Sequence, residues 1–218
     1  MSGEREGGAP RSRAFTSSRL WLAGLAWVLT IAAGNAALYV YTFTPGRAAD
    51  APAGWPTETA LALSTTRHTL VMVAHPHCSC TRASIAELAR LMTRLQGKLE
   101  ARVLFVTPGG LESDWEKTDL WQSAALIPGV EVIKDEGGEE SARFGAHTSG
   151  QTLLYDGRGR LLFAGGITPT RSHQGDSVGR QRIISLVEEG AADRGESAVY
   201  GCALDDDEAK DFVLSRLR

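Results

Sequence analysis

The hexapeptide His75-Pro76-His77-Cys78-Ser79-Cys80 gathers the groups in this chain most able to do chemistry. Two thiols one residue apart can work as a dithiol/disulfide pair or clamp a soft metal ion. Residues i and i+2 have Cα atoms about 5.5–7 Å apart, at the edge of what a disulfide accepts. A bond so placed stores strain, and strained disulfides are the readily reduced ones. The loop it closes is also too short to remove much entropy from the unfolded chain, so exchange suits the pair better than reinforcement. The rival reading is Cu(I) or Zn(II) held by Cys78, Cys80 and His77. A structural role for the pair is the third. Alternation from Val71 and Val73 points His75 inward, where capping or a core hydrogen bond accounts for it as well as ligation does. The remaining cysteine, Cys202, stands far downstream as a second resolving thiol, a further metal ligand or an inert buried thiol.

A thiolate is the reactive form, and a helix N-terminus stabilises it. The elements around the pair supply one. "HTLVMVA" (68–74) reads as a buried strand, and Ile85, Leu88, Leu91, Met92 and Leu95 recur at helical spacing up to Gly97. A helix starting near Ser79 puts Cys78 at its positive end, with His77 and Arg82 able to add charge. Cys78 is therefore expected to attack and Cys80 to resolve.

Further elements follow in alternation. "ARVLFVT" (101–107) predicts a second buried strand, residues 111–126 a helix, "VEVIKD" a third strand and 139–146 a short helix. "TLLYD" and "RLLFAGG" around Gly157-Arg158-Gly159 predict a hairpin, and residues 180–189 a last helix. Two crossover units followed by a hairpin and a helix imply an α/β sandwich with a central mixed sheet and helices on both faces.

A cysteine pair at a strand–helix junction, followed by this element order, resembles the thioredoxin-like fold over residues 65–190. More narrowly, "AHPHCSCTRAS", "TSGQTLLYD" and "GGITPTRSHQGDSVGR" resemble membrane-anchored bacterial RedB-type proteins. The resemblance implies a thiol–disulfide oxidoreductase acting on protein thiols or disulfides, with no cofactor; copper is the alternative. It also implies a site lined by His173 and by the segment facing the cysteines. There Gln151 precedes Thr152 where such proteins usually carry a cis-proline. That proline shapes the substrate groove and excludes metal, so its replacement keeps copper in play. C-x-C in place of C-x-x-C is the second departure.

Bulk properties set the compartment. The 218 residues carry a net charge of −3 with Lys and Arg scattered, which argues against nucleic-acid binding. Three cysteines cannot build a disulfide scaffold, so a hydrophobic core must hold the fold. Leu20–Tyr41 is apolar apart from Thr30, Asn35 and a few glycines, long enough for the ~30 Å hydrocarbon core of a bilayer. Trp21, Tyr39 and Tyr41 suit its two interfaces, and Arg11, Arg13 and Arg19 against Arg47 place the N-terminus in the cytoplasm. A cleaved signal peptide is the weaker alternative, because its apolar stretch runs to only about 7–15 residues. The expected organisation is a disordered cytoplasmic tail (1–19), an inner-membrane anchor (20–43) and an extracytoplasmic linker (44–64). A thioredoxin-like domain (65–192) and a C-terminal extension bearing Cys202 (193–218) complete it.

Overall fold

The computed structural model describes residues 13–107, 114–190 and 194–204, divided into a unit ending at Thr42 and a unit beginning at Phe43. The described residues of the first unit belong to one helix, α1 (Arg13–Phe43), apolar and long enough from Ser18 onward to cross a membrane. Its end coincides with the expected anchor, but it begins at Arg13 rather than Leu20, since no Gly or Pro interrupts residues 13–19. The polar side chains within it turn back onto the helix. Thr30 Oγ1 donates to the Ala26 carbonyl (2.9 Å), Asn35 Nδ2 to Ile31 (2.9 Å) and Thr42 Oγ1 to Leu38 (2.8 Å). Each thus spends a donor on the helix's own backbone, which suits a hydrocarbon surrounding.

The second unit follows the order read from the sequence: β1 (His68–Ala74), α2 (Ser79–Arg94), β2 (Leu99–Thr107), α3 (Asp119–Ala125), β3 (Val130–Glu136) and α4 (Glu139–Arg143). After these come β4 (Thr152–Tyr155), β5 (Leu161–Gly165), α5 (Val178–Glu189) and β6 (Gly195–Glu196). The sheet order is β3-β2-β1-β4-β5-β6. β1 pairs parallel with β2 (Leu70↔Ala101, Met72↔Val103) and antiparallel with β4 (Leu70↔Leu154, Met72↔Thr152). β1 is therefore a central strand, and its apolar run is buried from Leu70 to Ala74 because both of its faces are covered.

Strand alternation divides the core in two. Leu70, Met72 and Ala74 face Leu88, Leu91 and Met92 of α2, Leu120 and Ala124 of α3, and Ile183 and Leu186 of α5. Each fully buried Leu, Ile or Met contributes about 1.5–3 kcal/mol, which anchors α2 and hence the cysteines at its start. Val71 and Val73 face the opposite way, toward Phe144 beyond α4, Leu153 and Tyr155.

Three findings depart from the expectations. Residues 44–64, which composition presents as a spacer, lie on the domain: Leu61 is buried, and the Trp55 ring meets Phe144 and Tyr155 edge-on, both at 5.1 Å. Among the described residues the only helix on that face is the short α4, so this segment supplies the apolar cover the sheet needs. The helix expected over 111–126 begins only at Asp119; residues 114–118 form a turn, and 111–113 lie outside the described residues. The third finding is β6, which pairs parallel with β5 (Phe163↔Gly195) inside the segment expected to be an extension.

Candidate functional site

The chain leaves β1 at Ala74 and turns at Pro76, which holds the preceding residue out of the helical region. Cys78 is the N-cap of α2, extended (φ −91°, ψ 125°), with Ser79 and Cys80 opening the first turn. The turn is fastened from three sides. Cys78 N donates to the His75 carbonyl (3.2 Å), Thr81 N to the Cys78 carbonyl (3.1 Å), and Thr81 Oγ1 to the His75 carbonyl (3.0 Å). Ser149, fully buried, accepts from His75 N (3.0 Å) and meets Thr81 Oγ1 at 2.9 Å.

Cys202 arrives from the far end of the chain on the same platform. Ser149 N donates to the Cys202 carbonyl (2.8 Å), Leu204 N donates to the His147 carbonyl (2.9 Å), and Thr148 bridges to Ala203. Gly201 permits this approach: a Cβ there would stand 1.7 Å from the Ser149 carbonyl oxygen, so no other residue fits. Arg171, itself buried, donates through Nη1 to the Gly201 carbonyl and through Nε to Thr44 (3.2 Å). As a result Cys78 Sγ and Cys202 Sγ are 2.9 Å apart, and the three cysteine sulfurs lie within 4.8 Å of one another as free thiols. Cys78 and Cys80 are buried, whereas Cys202 is partly open to solvent.

Within this cluster the lowered thiol is Cys80. Hydrogen bonds from Cys202 and then Cys78 hold its thiol well below the ordinary range, and the Ser172 hydroxyl and Arg171 charge assist against the opposing effect of burial. The same contacts, with Cys78 first, push Cys202 upward and keep it a thiol. Hence the thiol that these contacts lower is Cys80, the second cysteine of the pair. The reason is tertiary: the donors that stabilise it come from residues 78 and 202 together.

Ser172 reaches Cys80 from the loop before α5. Its φ of 58° is the one positive value outside glycine among the described residues, and its Oγ lies 3.4 Å from Cys80 Sγ and 3.3 Å from Ser79 Oγ. A non-glycine residue held so costs of order 1–3 kcal/mol and persists only where its surroundings dictate it. Here they do. Fully buried Glu87 of α2 accepts from Gly175 N (2.8 Å) and pairs with Arg180 Nη1 (3.0 Å). Arg180 Nη2 also holds Asp176 (2.6 Å), and Ser177 caps α5 by accepting from Arg180 N while donating to the Ile167 carbonyl (2.7 Å).

Of the residues singled out from the sequence, Cys78, Cys80 and Cys202 are brought together. His77 is exposed and turned away: its Nε2 is 3.2 Å from the Trp115 carbonyl oxygen, its ring lies 4.5 Å from the Trp115 ring, and its backbone N–H donates to His75 Nδ1. Arg82 makes an exposed pair with Asp119 (2.6 Å) at the α2–α3 boundary. Gln151 is buried beside the site's floor, where its carbonyl accepts from Val73 N (2.9 Å), and Thr152 Oγ1 bonds to the Gly150 carbonyl (3.1 Å). No cis peptide bond occurs among the described residues. His173 Nδ1 meets the Arg171 carbonyl (2.6 Å), so it shapes the loop. Sequence reasoning missed Ser149, Thr81, Arg171 and Ser172. Three of them stand inside or beside the quoted motifs "TSGQTLLYD" and "TPTRSHQGDSVGR", which marked the segments and not the side chains.

No protein family model matches the chain, and no curated protein does. Solved structures do. An uncharacterized conserved protein from Geobacillus kaustophilus is similar at 16% identity, over 75% of this chain and 92% of its own, with a TM-score of 0.55. A hypothetical protein from Sinorhizobium meliloti 1021 is similar at 18% identity, over 75% and 94%, with a TM-score of 0.52. A secreted disulfide oxidoreductase from Mycobacterium tuberculosis is matched at 11% identity over 58% and 84%, with a TM-score of 0.40. With a central mixed sheet, crossover helices and a cysteine pair at the first strand–helix junction, the chain has a thioredoxin-like fold.

Proposed function

We propose that this chain is a membrane-tethered thiol–disulfide oxidoreductase acting on protein thiols or disulfides outside the cytoplasm. The observation that supports it most is the convergence of three free sulfurs within 4.8 Å at the N-terminus of α2. In the oxidised protein Cys202, the sulfur nearest solvent, is bonded to Cys80. A substrate thiolate attacks Cys202 Sγ, the Cys80–Cys202 bond breaks, and Cys80 leaves as a thiolate held by the Cys78 thiol, the Ser172 hydroxyl and the Arg171 charge. A second substrate thiolate then displaces Cys202 from the mixed disulfide. The substrate departs with a disulfide, two electrons remain on the protein as the dithiol, and the reverse sequence reduces a substrate. Cys78, whose thiol donates to Cys202 in the reduced protein (2.9 Å), is the thiol donor left to Cys80 once Cys202 is in a disulfide. The anchor is α1, and the arginines preceding it favour an N-terminus inside and a domain where oxidised pairs persist.

The test is a glutathione redox titration of the full chain in detergent micelles, with thiol trapping and mass spectrometry at each point. A reversible Cys80–Cys202 disulfide is expected, and Cys80→Ser should abolish exchange with a small aromatic disulfide. Absence of any reversible disulfide among the three cysteines refutes the reading.

A further inference from the structure

We infer that the reduced cluster of Cys78, Cys80 and Cys202 is a three-sulfur binding site for Cu(I). Three thiol side chains from two distant parts of the chain point their sulfurs at a common centre, with Cys78 and Cys80 buried and all three sulfurs within 4.8 Å of one another. That spacing lets one ion touch every sulfur. Soft thiolate donors select Cu(I), whose filled d shell accepts trigonal sulfur coordination. Zn(II) normally takes four ligands, and the nearest sequence neighbours that could supply a fourth are committed elsewhere. His77 Nε2 faces the Trp115 carbonyl, and His75 Nδ1 accepts from His77 N. The sequence expectation that His77 would complete a copper site with the C-x-C pair is thus replaced: Cys202 stands in that place.

The surroundings suit an anionic trigonal site. It lies at the N-terminus of α2, where the helix dipole favours negative charge, and the buried guanidinium of Arg171 acts on Cys80. The frame is rigid, because Ser149 binds the Cys202 backbone, the His75 backbone and the Thr81 side chain at once. Joining any two sulfurs as a disulfide removes two of the three donors. Copper binding and exchange chemistry are therefore alternatives at one centre, and the oxidation state of the cysteines decides which is available. The metal site rests on the sulfur geometry and not on the exchange reading.

The experiment is an anaerobic competition for Cu(I) between the reduced full chain in micelles and a chromophoric Cu(I) chelator. One Cu(I) per chain is expected, with His77→Ala binding as the wild type does. Losing an outer hydrogen-bond partner of a metal site already costs about 10–100-fold in affinity, so Cys202→Ser, which loses a direct ligand, should bind at least about 100-fold more weakly. X-ray absorption of the Cu(I)-loaded wild type should count three sulfur neighbours, a readout that holds even if the variant does not fold. Two sulfurs with a nitrogen neighbour, Cys202→Ser affinity equal to wild type, or stoichiometric Zn(II) displacing Cu(I) would each overturn the proposal. A glutathione titration that shows no disulfide would sink the exchange reading alone and leave these outcomes unaffected.

Discussion

Ser149→Ala tests whether one hydroxyl holds the cysteine frame together. Ser149 is fully buried, accepts a hydrogen bond from His75 N (3.0 Å) and meets Thr81 Oγ1 (2.9 Å). Removing Oγ takes away the acceptor of this partly buried N–H, which costs about 1–3 kcal/mol. The lost contact with Thr81 adds about 1 kcal/mol, because Thr81 keeps the His75 carbonyl as its acceptor. A sum of about 2–4 kcal/mol lowers the Tm of a domain this size by about 4–16 °C. The assay is thermal denaturation of the reduced full chain in micelles by circular dichroism, beside Thr81→Val. The two substitutions should be non-additive, since they share one contact. A Tm within about 1 °C of wild type, well below that range, would refute the reasoning. It would mean that His75 N finds another acceptor and that Ser149 is not what aligns the turn.

Two further outcomes follow from the same geometry. Hydrogen bonds to a charged group are worth about 1.5–3 kcal/mol, so Cys202→Ala should raise the proton affinity of Cys80 by about 10- to 100-fold. Ultraviolet titration of the thiolate in the reduced protein should then show its midpoint moved to higher pH; an unmoved or lower midpoint means that Cys202 is not the principal donor. Trp55→Ala removes two edge-to-face ring contacts, each worth about 0.5–1.5 kcal/mol, together with partly buried apolar area. A loss of about 2–4 kcal/mol in urea denaturation is expected. A loss below about 0.5 kcal/mol, the level of an ordinary surface substitution, would return residues 44–64 to the status of a spacer.

Local pattern and chemistry determined much of this protein. The apolar run of α1, the buried strand 68–74 and the helical spacing of Ile85, Leu88 and Leu91 are statements about neighbours in sequence, and each element formed where the pattern put it. So was the position of Cys78 at the start of α2, since a strand, a proline and an amphipathic run leave no other place for the junction. The helix expected over 111–126 shortened because tertiary contacts claimed its first part: Trp115 gives its carbonyl and ring to His77, and Thr118 gives its hydroxyl to the Pro76 carbonyl (3.1 Å).

Only the tertiary structure decided the rest. No spacing rule connects Cys202 to Cys78 across 124 residues; the link runs through Ser149, Gly201 and Arg171, whose roles depend on distances between strands and loops. For the same reason the sequence marked the C-x-C pair but not the contacts that lower one of its thiols. Helix position is local and favours the first cysteine, whereas the donors that single out Cys80 converge from residues 78, 172 and 202. The spacer composition of residues 44–64 likewise says nothing of the uncovered sheet face that Trp55 and Leu61 fill. Periodicity and composition specify what a segment can become; which groups share a cavity is settled when distant segments pack.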